Sequence, residues 1–459
     1  MNDIKHIKVR IAPSPTGKFH IGTARTALFN YLFAKKNNGK FILRIEDTDS
    51  ERSEIKYEKD IIENLKWLNL EWDNEIFKQS ERTEIYKKYI KKLLDSGEAF
   101  YCNHTQKELE EEKKEQIKKK EAPRHICDRK GNTKEGIIRF RCPKKKIIFN
   151  DLIRGKLEFD ASLFGDIGIA KDEKTPLYNL AVVIDDAEMK ISHIIRGEDH
   201  ISNTPKQILL YQALGFDLPE FAHLPLILGP DKSKLSKRHG AVSVSQYRKE
   251  GYLSEAMNNF MALLGWNPGT EKESFSLNEL INEFSLERVH KGGAIFNIER
   301  LDWINSQYIR TMDLDKLAKK CLTYLPENID FEYIKKIVAL EQKRIKKISE
   351  IEELTKFFFE DELDYELKLL IWKKISLKDV KNNLELLEKT LEKTDKFDQK
   401  SLENTIMPLT DKYGRGELLW PLRVALSGQK ASPGPFEIME VLGKEKTLER
   451  IKKAIKKIE

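Results

Sequence analysis

The chain has 459 residues, of which 40% are hydrophobic and 34% are charged, so it is long enough for about three domains with buried cores. No apolar run reaches the roughly 20 residues that a membrane-spanning helix needs, and four cysteines do not make a disulfide framework, which favours a cytoplasmic protein. The net charge of +7 is concentrated in residues 101–150, with 15 Lys and Arg against 8 Asp and Glu; this run predicts a polyanion contact, although a solvated lysine-rich helix is its commoner cause.

The first elements are a strand, an irregular loop and a helix. Apolar and polar residues alternate over residues 7–11, as in a strand, and Pro13, Pro15 and Gly17 then exclude regular structure. From His20 onward the apolar residues fall on one helical face. A helix that starts at the end of a strand directs its free N–H groups at whatever lies above the strand. The corner therefore predicts an anion site, with an ordinary strand–loop–helix corner as the alternative.

The next elements repeat the alternation of strand and helix. The stretch KFILRIEDTD predicts a strand that ends in acids, and SEIKYEKDIIENLKWLNL predicts an amphipathic helix with Ser53 as its N-cap. Strands that alternate with helices favour a parallel sheet covered by helices on both faces.

The pattern changes near residue 100 and changes back near residue 176. TQKELEEEKKEQIKKKEAP predicts a polar helix, and IIRFRCPKKKIIFNDLIRGKLEFD alternates as antiparallel hairpin strands do, so this part is expected to be an insertion. Strand and helix patterning returns in LYNLAVVIDDAEMKISHIIRGEDHISNTPKQILLYQALGF. After KLSKRHGAVSV the chain is mainly helical to its end. The sequence therefore predicts a multidomain α/β fold.

A basic loop lies in the stretch GPDKSKLSKRHGAVSV, residues 229–244. It contains Lys232, Lys234, Lys237 and Arg238 between glycines and a proline. Such a loop can close over a triphosphate and neutralise the charge that develops as pyrophosphate leaves. Taken alone it is also a common kind of surface loop.

Together, HIGT at residues 20–23 and KLSKR at residues 234–238 resemble the HIGH and KMSKS signatures of class I aminoacyl-tRNA synthetases. The longer strings RIAPSPTGKFHIGTARTALFNYLFA, FILRIEDTD and YNLAVVIDDAEMKISHIIRGEDHISNTPKQ are similar to bacterial glutamyl-tRNA synthetases. They follow one another in the order and at the spacing of that family. NNFMALLGW, FNIERLDWINSQYI and PLRVALSGQKASPGPFEIMEVLGKEKTLERI extend the resemblance over essentially the whole chain.

The resemblance implies a Rossmann-like parallel-sheet catalytic domain with an α+β insertion, followed by an all-α C-terminal half. The expected parts are the first half of the catalytic domain (1–80), an inserted acceptor-arm-binding domain (81–175), the second half of the catalytic domain with the KLSKR loop (176–242), a helical stem-contact domain (243–312) and a helical anticodon-binding region (313–459).

The activity implied by the resemblance is that of a glutamate–tRNA ligase. Such an enzyme uses ATP and Mg²⁺ to convert glutamate to glutamyl-adenylate and transfers the glutamyl group to the 3′ end of tRNA(Glu). Activation asks for positioning and cationic stabilisation rather than for a protein nucleophile. The resemblance also implies a monomer that does not bind membranes.

The site residues carried over from the family form two groups. One group would serve ATP, with His20, Lys234 and Lys237 as catalytic residues and Gly22, His20 and Lys237 as the ATP contacts. Thr23 replaces the last His of the general signature, which is usual in the glutamyl branch. The other group would hold glutamate, and its members are Arg10, Ala12, Ser14, Glu46, Tyr178 and Arg196. Guanidinium groups suit carboxylate recognition, whereas Val182 stands where some relatives have Asn.

Two short Cys/His pairs bracket the lysine-rich helix. Cys102 with His104 and His125 with Cys127 are separated by 20 residues, and two such pairs suit tetrahedral zinc. Some glutamyl-tRNA synthetases carry structural zinc in this insertion, with Cys at the position of His104 and a different spacing of the second pair. A zinc site and a metal-free remnant both stay open, and the donor set favours zinc.

Alternatives from other classes remain at this point. A glutaminyl-tRNA synthetase shares the catalytic domain but has a C-terminal half of β-barrels, against the helical pattern of residues 313–459. A nucleotidyltransferase that joins AMP to a small metabolite needs neither the insertion nor the helical tail. A catalytically inactive RNA-binding protein would not need His20, Glu46 and both loop lysines. The sequence leaves open whether tRNA(Gln) is also charged.

Overall fold

The structure is a computed structural model and describes residues 6–49, 52–130, 134–236, 238, 240 and 242–459. The chain forms two compact units. The first unit comprises Met1–Arg248 and Ser254–Ile304, and the second comprises Lys249–Leu253 and Asn305–Glu459.

The first unit contains all the described strands and the first helices of the chain. Its strands are β1 (Lys8–Ile11), β2 (Lys40–Ile45), β3 (Phe77–Lys78), β4 (Ala99–Cys102), β5 (Ile137–Phe140), β6 (Lys146–Asp151), β7 (Gly155–Asp160), β8 (Ile167–Ala170), β9 (His193–Gly197), β10 (Glu220–Leu224), β11 (Ile227–Leu228) and β12 (Ala294–Ile295). The helices are α1 (Ile21–Lys36), α2 (Ile55–Trp67), α3 (Thr83–Asp95), α4 (Gln106–Lys118), α5 (Tyr178–Glu188), α6 (Thr204–Leu214), α7 (Val244–Lys249), α8 (Ser254–Leu263), α9 (Leu277–Glu283) and α10 (Ile298–Thr311), of which α7 and α10 run across unit boundaries.

A parallel sheet forms the centre of the first unit. Strands β3, β2 and β1 pair in parallel on one side, and β9, β10 and β6 pair in parallel on the other. The two groups adjoin because the backbone N–H of Ser192 donates to the carbonyl of Lys8 at 2.9 Å. Strand residues such as Val9, Phe41 and Ile194 are buried, as expected for a sheet covered on both faces. The predicted Rossmann-like sheet is confirmed.

The stretch predicted as an insertion contains a second sheet and a hairpin. Strands β4, β5 and β8 form an antiparallel sheet, and α4 follows β4 with a capping box between Thr105 and Glu108. The antiparallel hairpin β6–β7 pairs with β10, where Asp151 lies opposite Phe221. The hairpin therefore extends the central sheet, although it lies within the stretch predicted as an insertion.

The helix after β2 begins later than the sequence predicts. Helix α2 starts at Ile55 with Glu54 as the N-cap residue, and the Glu54 side chain makes no capping hydrogen bond to the described residues. The hydroxyl of Ser53 is buried without a hydrogen-bond partner among the described residues, so the prediction of Ser53 as the cap is wrong.

All the regular secondary structure described in the second unit is helical. Its helices are α11 (Leu314–Cys321), α12 (Phe331–Glu341), α13 (Glu350–Thr355), α14 (Leu377–Glu392), α15 (Gln399–Tyr413), α16 (Arg415–Ser427) and α17 (Pro435–Ile458). Leucines of α14 and α16 pack into its core with residues of α17 such as Ile438 and Met439. The predicted helical C-terminal half is confirmed. Among the described residues, no helix is long and apolar enough to cross a membrane.

Candidate active site

The N-terminus of α1 is the corner that the sequence predicts as an anion site. His20 is its N-cap residue, with an extended backbone. The Nδ1 atom of His20 accepts hydrogen bonds from the backbone N–H groups of Gly22 at 3.2 Å and Thr23 at 3.4 Å. An accepting Nδ1 carries no proton, so Nε2 of the neutral ring is the donor, 3.0 Å from the Thr23 hydroxyl. The corner thus combines the positive end of a helix with one side-chain N–H donor.

The imidazole of His20 stays neutral near pH 7. Desolvation of the ring lowers its pKa, the ammonium of Lys234 lowers it further, and Asp199 opposes both effects. Gly22 leaves room for the ring, because a Cβ at that position would lie 3.1 Å from Nδ1 of His20. A side chain there would press against the group that caps the helix.

The end of the basic loop is joined to this corner by backbone hydrogen bonds. The N–H of Ile21 donates to the carbonyl of Val242 at 2.9 Å, and the N–H of Val244 donates to the carbonyl of Phe19 at 2.8 Å. Before that point the ammonium of Lys234 lies 3.1 Å from a carboxylate oxygen of Asp199. The structure therefore brings His20 and Lys234 to the same edge of the sheet.

Lys237, predicted to contact ATP, lies outside the described residues. Its neighbour Arg238 is described and pairs with Asp231 at 3.0 Å within the same loop.

A buried cluster of charges follows the first two strands. Asp186 accepts from Nε and Nη2 of Arg10 at 3.0 and 3.2 Å and from Nη1 of Arg44 at 2.7 Å. Burial alone would raise the pKa of Asp186, but the two guanidinium groups hold it below its usual value. Arg44 also donates to Glu46 at 3.3 Å, and burial raises the pKa of Glu46 despite Arg44 and Arg10. Asp186 thus fixes the guanidinium of Arg10 at the carboxyl end of β1.

Arg196 lies buried on β9 and is held on two sides. Its Nη2 donates to the Thr204 hydroxyl at 2.7 Å and to the Gln207 amide oxygen at 2.8 Å. Its Nε donates to Nε2 of His223 at 3.3 Å, and Nδ1 of His223 lies 2.6 Å from the carboxylate of Asp151. The remaining nitrogen, Nη1, is buried and has no hydrogen-bond partner among the described residues. Because a buried unpaired donor is costly, this group fits a place where a ligand oxygen binds.

Tyr178 opens α5 on the same side of the sheet. Its hydroxyl lies 3.0 Å from Nδ1 of His200. Burial lowers the pKa of His200 to about 4, and the positive charge of Arg196 acts in the same direction. His200 is therefore neutral at physiological pH and can exchange a hydrogen bond with the phenol.

The loop between β1 and α1 carries the last two predicted glutamate contacts. Ala12 is half-buried and Ser14 is exposed. The N–H of Glu46 donates to the carbonyl of Pro13 at 3.0 Å, which holds this loop over the end of β2. Tyr178 follows β8 and Lys234 follows β11. The other described residues predicted for ATP and for glutamate lie at or after the carboxyl ends of β1, β2 and β9, where parallel sheets bind ligands.

Several residues of this site were missed from the sequence. Three of them lie within the strings that carry the family resemblance: Arg44, Asp186 and His200. The other two, Asp151 and His223, are buried. Charged residues inside apolar runs, as in AVVIDDAEM, were the available signal, because such charges are rarely buried unless paired.

The two Cys/His pairs of the insertion come together in the structure. The ligand atoms of Cys102, His104, His125 and Cys127 all lie within 4.8 Å of one another. Sγ of Cys102 is 3.4 Å from Nδ1 of His104 and 3.5 Å from Nε2 of His125, and Sγ of Cys127 is 3.7 Å from Nδ1 of His104. Tetrahedral zinc, with Zn–S of about 2.3 Å and Zn–N of about 2.0 Å, places sulfur and nitrogen about 3.5 Å apart. The quartet therefore fits zinc.

Comparison with known proteins assigns the two units to known families. A family described as "tRNA synthetases class I (E and Q), catalytic domain" matches residues 6–303, and one described as "Anticodon binding domain" matches residues 316–455.

Curated relatives and solved structures match over nearly the whole chain. The chain is 44% identical to "Glutamate--tRNA ligase 2" of Thermoanaerobacter pseudethanolicus, over 98% of each chain. It is 45% identical to the "Glutamate--tRNA ligase" of Aquifex aeolicus, over 98% of this chain and 99% of the relative. The crystal structure of a glutamate tRNA ligase from Elizabethkingia meningosepticum in complex with its amino acid matches with a TM-score of 0.88 and 35% identity, over 99% of this chain and 100% of that chain.

Proposed function

Because this chain belongs to the class I tRNA synthetases of the glutamate and glutamine type, we propose that it is a glutamate–tRNA ligase. It activates glutamate with ATP to glutamyl-adenylate, releases pyrophosphate, and transfers the glutamyl group to the 3′ end of tRNA(Glu) with release of AMP. The observation that supports glutamate within this family is the buried Nη1 of Arg196, which lacks a hydrogen-bond partner among the described residues. An acidic side chain supplies the missing acceptor together with a compensating charge.

We propose that the glutamate pocket lies over the ends of β1, β2 and β9. Arg196 and Arg10 hold the substrate carboxylates, and Tyr178 lies beside them. The carboxylate of Glu46, close behind the loop of Ala12 and Ser14, is opposite in charge to the substrate ammonium. Asp186 already neutralises much of the charge of Arg10, so Arg196 is the stronger candidate for the side-chain carboxylate.

The ATP site is proposed at the start of α1. His20 donates its Nε2 proton to a phosphate oxygen, and Lys234 neutralises charge on the leaving pyrophosphate. The resemblance places the adenine against the backbone of Gly22. For Lys237, a contact with the ATP phosphates is proposed from the family resemblance alone. ATP is used as its Mg²⁺ complex, as is typical of the family.

No general base is needed for activation, because the attacking group is the already ionised carboxylate of glutamate. The chain contributes orientation and positive charge: the arginines align the substrate, and the basic loop stabilises the transition state. In the second step, a hydroxyl of the terminal ribose of tRNA attacks the carbonyl carbon of the glutamyl-adenylate, so that ribose must lie beside the same site. The second unit matches an anticodon-binding family, and we propose that it contacts the anticodon arm.

We propose one structural zinc ion in the quartet of Cys102, His104, His125 and Cys127. Two thiolates and two imidazoles form a suitable donor set, and their spacing fits the size of the ion. Bound zinc would cross-link two segments of the predicted insertion, and its role would be structural rather than catalytic. The cytoplasm is the proposed compartment, and the four unpaired cysteines agree with it. A monomer is proposed from the resemblance.

The function is tested by aminoacylation with purified tRNAs. We expect glutamate to be attached to tRNA(Glu), and ATP–pyrophosphate exchange to need glutamate and tRNA together. Exchange without tRNA would instead indicate a small-metabolite adenylyltransferase, and charging of glutamine would indicate the glutaminyl enzyme. Glutamate attached to tRNA(Gln) as well would define a non-discriminating ligase. An Arg196→Lys variant should lose glutamate affinity while its affinity for ATP is retained.

A further inference from the structure

Helix α4 has no buried residue, which is unusual for a helix that must stay in one place. Only four of its thirteen residues are even half-buried: Glu108, Leu109, Glu112 and Gln116. An isolated helix of this length is marginal in water. Polar contacts along the half-buried face therefore decide whether α4 docks.

Three residues at successive intervals of four form a polar stripe on that face. Glu108 lies 2.7 Å from Nη2 of Arg129, and this contact, together with hydrogen bonds from Thr105, lowers the pKa of Glu108 to about 2. Glu112 lies 2.6 Å from Nδ1 of His125. Gln116 exchanges two hydrogen bonds with the backbone of Arg124, at 2.7 and 2.8 Å.

All three contacts end on residues 124–129, which also carry half of the metal quartet. The bond between Glu112 and His125 is the one that reaches a ligand residue directly. Since Nδ1 of His125 faces Glu112, Nε2 is the atom that faces Cys102 at 3.5 Å. A carboxylate on the far nitrogen fixes the tautomer and orientation of a ligating imidazole and increases its basicity.

Lysines lie on the opposite side of the same helix. With about 100° between successive residues, Lys107, Lys114 and Lys118 lie roughly 120–160° from the middle of the polar stripe. All three are exposed. Exposed Glu110 lies on the same side. The direction of the three lysines depends on how the stripe is docked, and ammonium groups held in one direction suit the phosphate backbone of a nucleic acid.

We propose that Glu112 is a positioning residue that links metal binding at the quartet to the docking of α4, and so fixes the direction of the lysine face. This rests on the zinc site proposed above. The link works in both directions. Metal binding orders His125 and strengthens its hydrogen bond to Glu112, and the docked carboxylate in turn strengthens metal binding.

The test compares Glu112→Gln with Glu111→Gln in the full-length chain. Both variants remove one negative charge from α4, but Glu111 is exposed and lies outside the stripe. Zinc affinity is measured by competition with a chromophoric chelator. We expect Glu112→Gln to weaken zinc binding about 10- to 100-fold, and Glu111→Gln to match the wild type. Hydrogen exchange of residues 106–118 is then followed with zinc bound and after chelation. Exchange should be slow only in the zinc-loaded protein.

The outcomes separate this inference from the rest. The link would be overturned, and the zinc site retained, if both variants bound zinc equally well. The same would follow if hydrogen exchange of α4 did not change when zinc was removed. A wild-type chain that takes up no zinc would overturn both the link and the zinc site. Neither result bears on ligase activity, which is measured separately.

Discussion

The sharpest test of the ATP site is the replacement of His20 by Asn. The side chain of His20 has two functions on two different atoms: Nδ1 caps α1, and Nε2–H is proposed to donate to a phosphate oxygen. Asn is a good N-cap residue, so it keeps the first function and loses the second. His20→Ala loses both and serves as the matched comparison.

The expected magnitude follows from the bond that is lost. A hydrogen bond to a charged group contributes about 1.5–3 kcal/mol, which corresponds to a roughly 10- to 150-fold lower rate at 1.36 kcal/mol per tenfold. We expect both variants to show this loss in ATP–pyrophosphate exchange measured with glutamate and tRNA(Glu). Only His20→Ala should also lose about 1 kcal/mol of helix stability, measured as a lower urea midpoint.

The pH dependence provides a second check on His20. Because desolvation and the charge of Lys234 lower the pKa of His20, its neutral ring should persist below pH 6.5, and the exchange rate should not fall as pH is lowered to that value. Exchange in His20→Asn within twofold of the wild-type rate would refute the assigned role.

The remaining predictions concern buried charges. Arg196→Lys should raise the KM for glutamate about 10- to 100-fold in exchange assays, because one ammonium cannot replace the guanidinium fork. Asp186→Asn should destabilise the protein by about 3–5 kcal/mol in urea unfolding, since Arg10 and Arg44 lose their shared buried counter-charge. Burial raises the pKa of Glu341 to about 7. Protonated Glu341 therefore contributes to the free energy of unfolding, fully below pH 4.5, and this contribution is lost as pH rises through 7. Glu341→Gln should therefore raise Tm above pH 7 and flatten its pH profile; an unchanged profile would contradict this.

Local patterns in the sequence predicted the elements of the fold, whereas the candidate site residues came mainly from the family resemblance and stay predictions. Helix α1, predicted from His20 onward and observed from Ile21, the polar helix α4 and the helical second unit follow from the periodicity and composition of the sequence. The predicted N-cap of α2 was wrong because more than one residue near its start could serve as the cap. Ser53 has the chemistry of a cap, but the helix begins two residues later, at Ile55.

The partners of the site residues were beyond the reach of the sequence. Asp186 is 176 residues from Arg10 and 142 from Arg44, and no local pattern indicates that one carboxylate would serve both. The same holds for Asp151, which lies in the predicted insertion and supports His223 behind Arg196. Such pairings depend on which strands become neighbours.

The sequence by itself determined the chemistry that is present: an imidazole at a helix start, lysines in a loop, arginines for carboxylates and two pairs of metal donors. These features depend on residue types and short spacings along the chain, so they do not require knowledge of how the helices and strands pack together. The tertiary structure alone decided which charges are neutralised and which are left for a ligand. Burial makes that difference large, since an unpaired donor such as Nη1 of Arg196 costs little in water and much inside a protein.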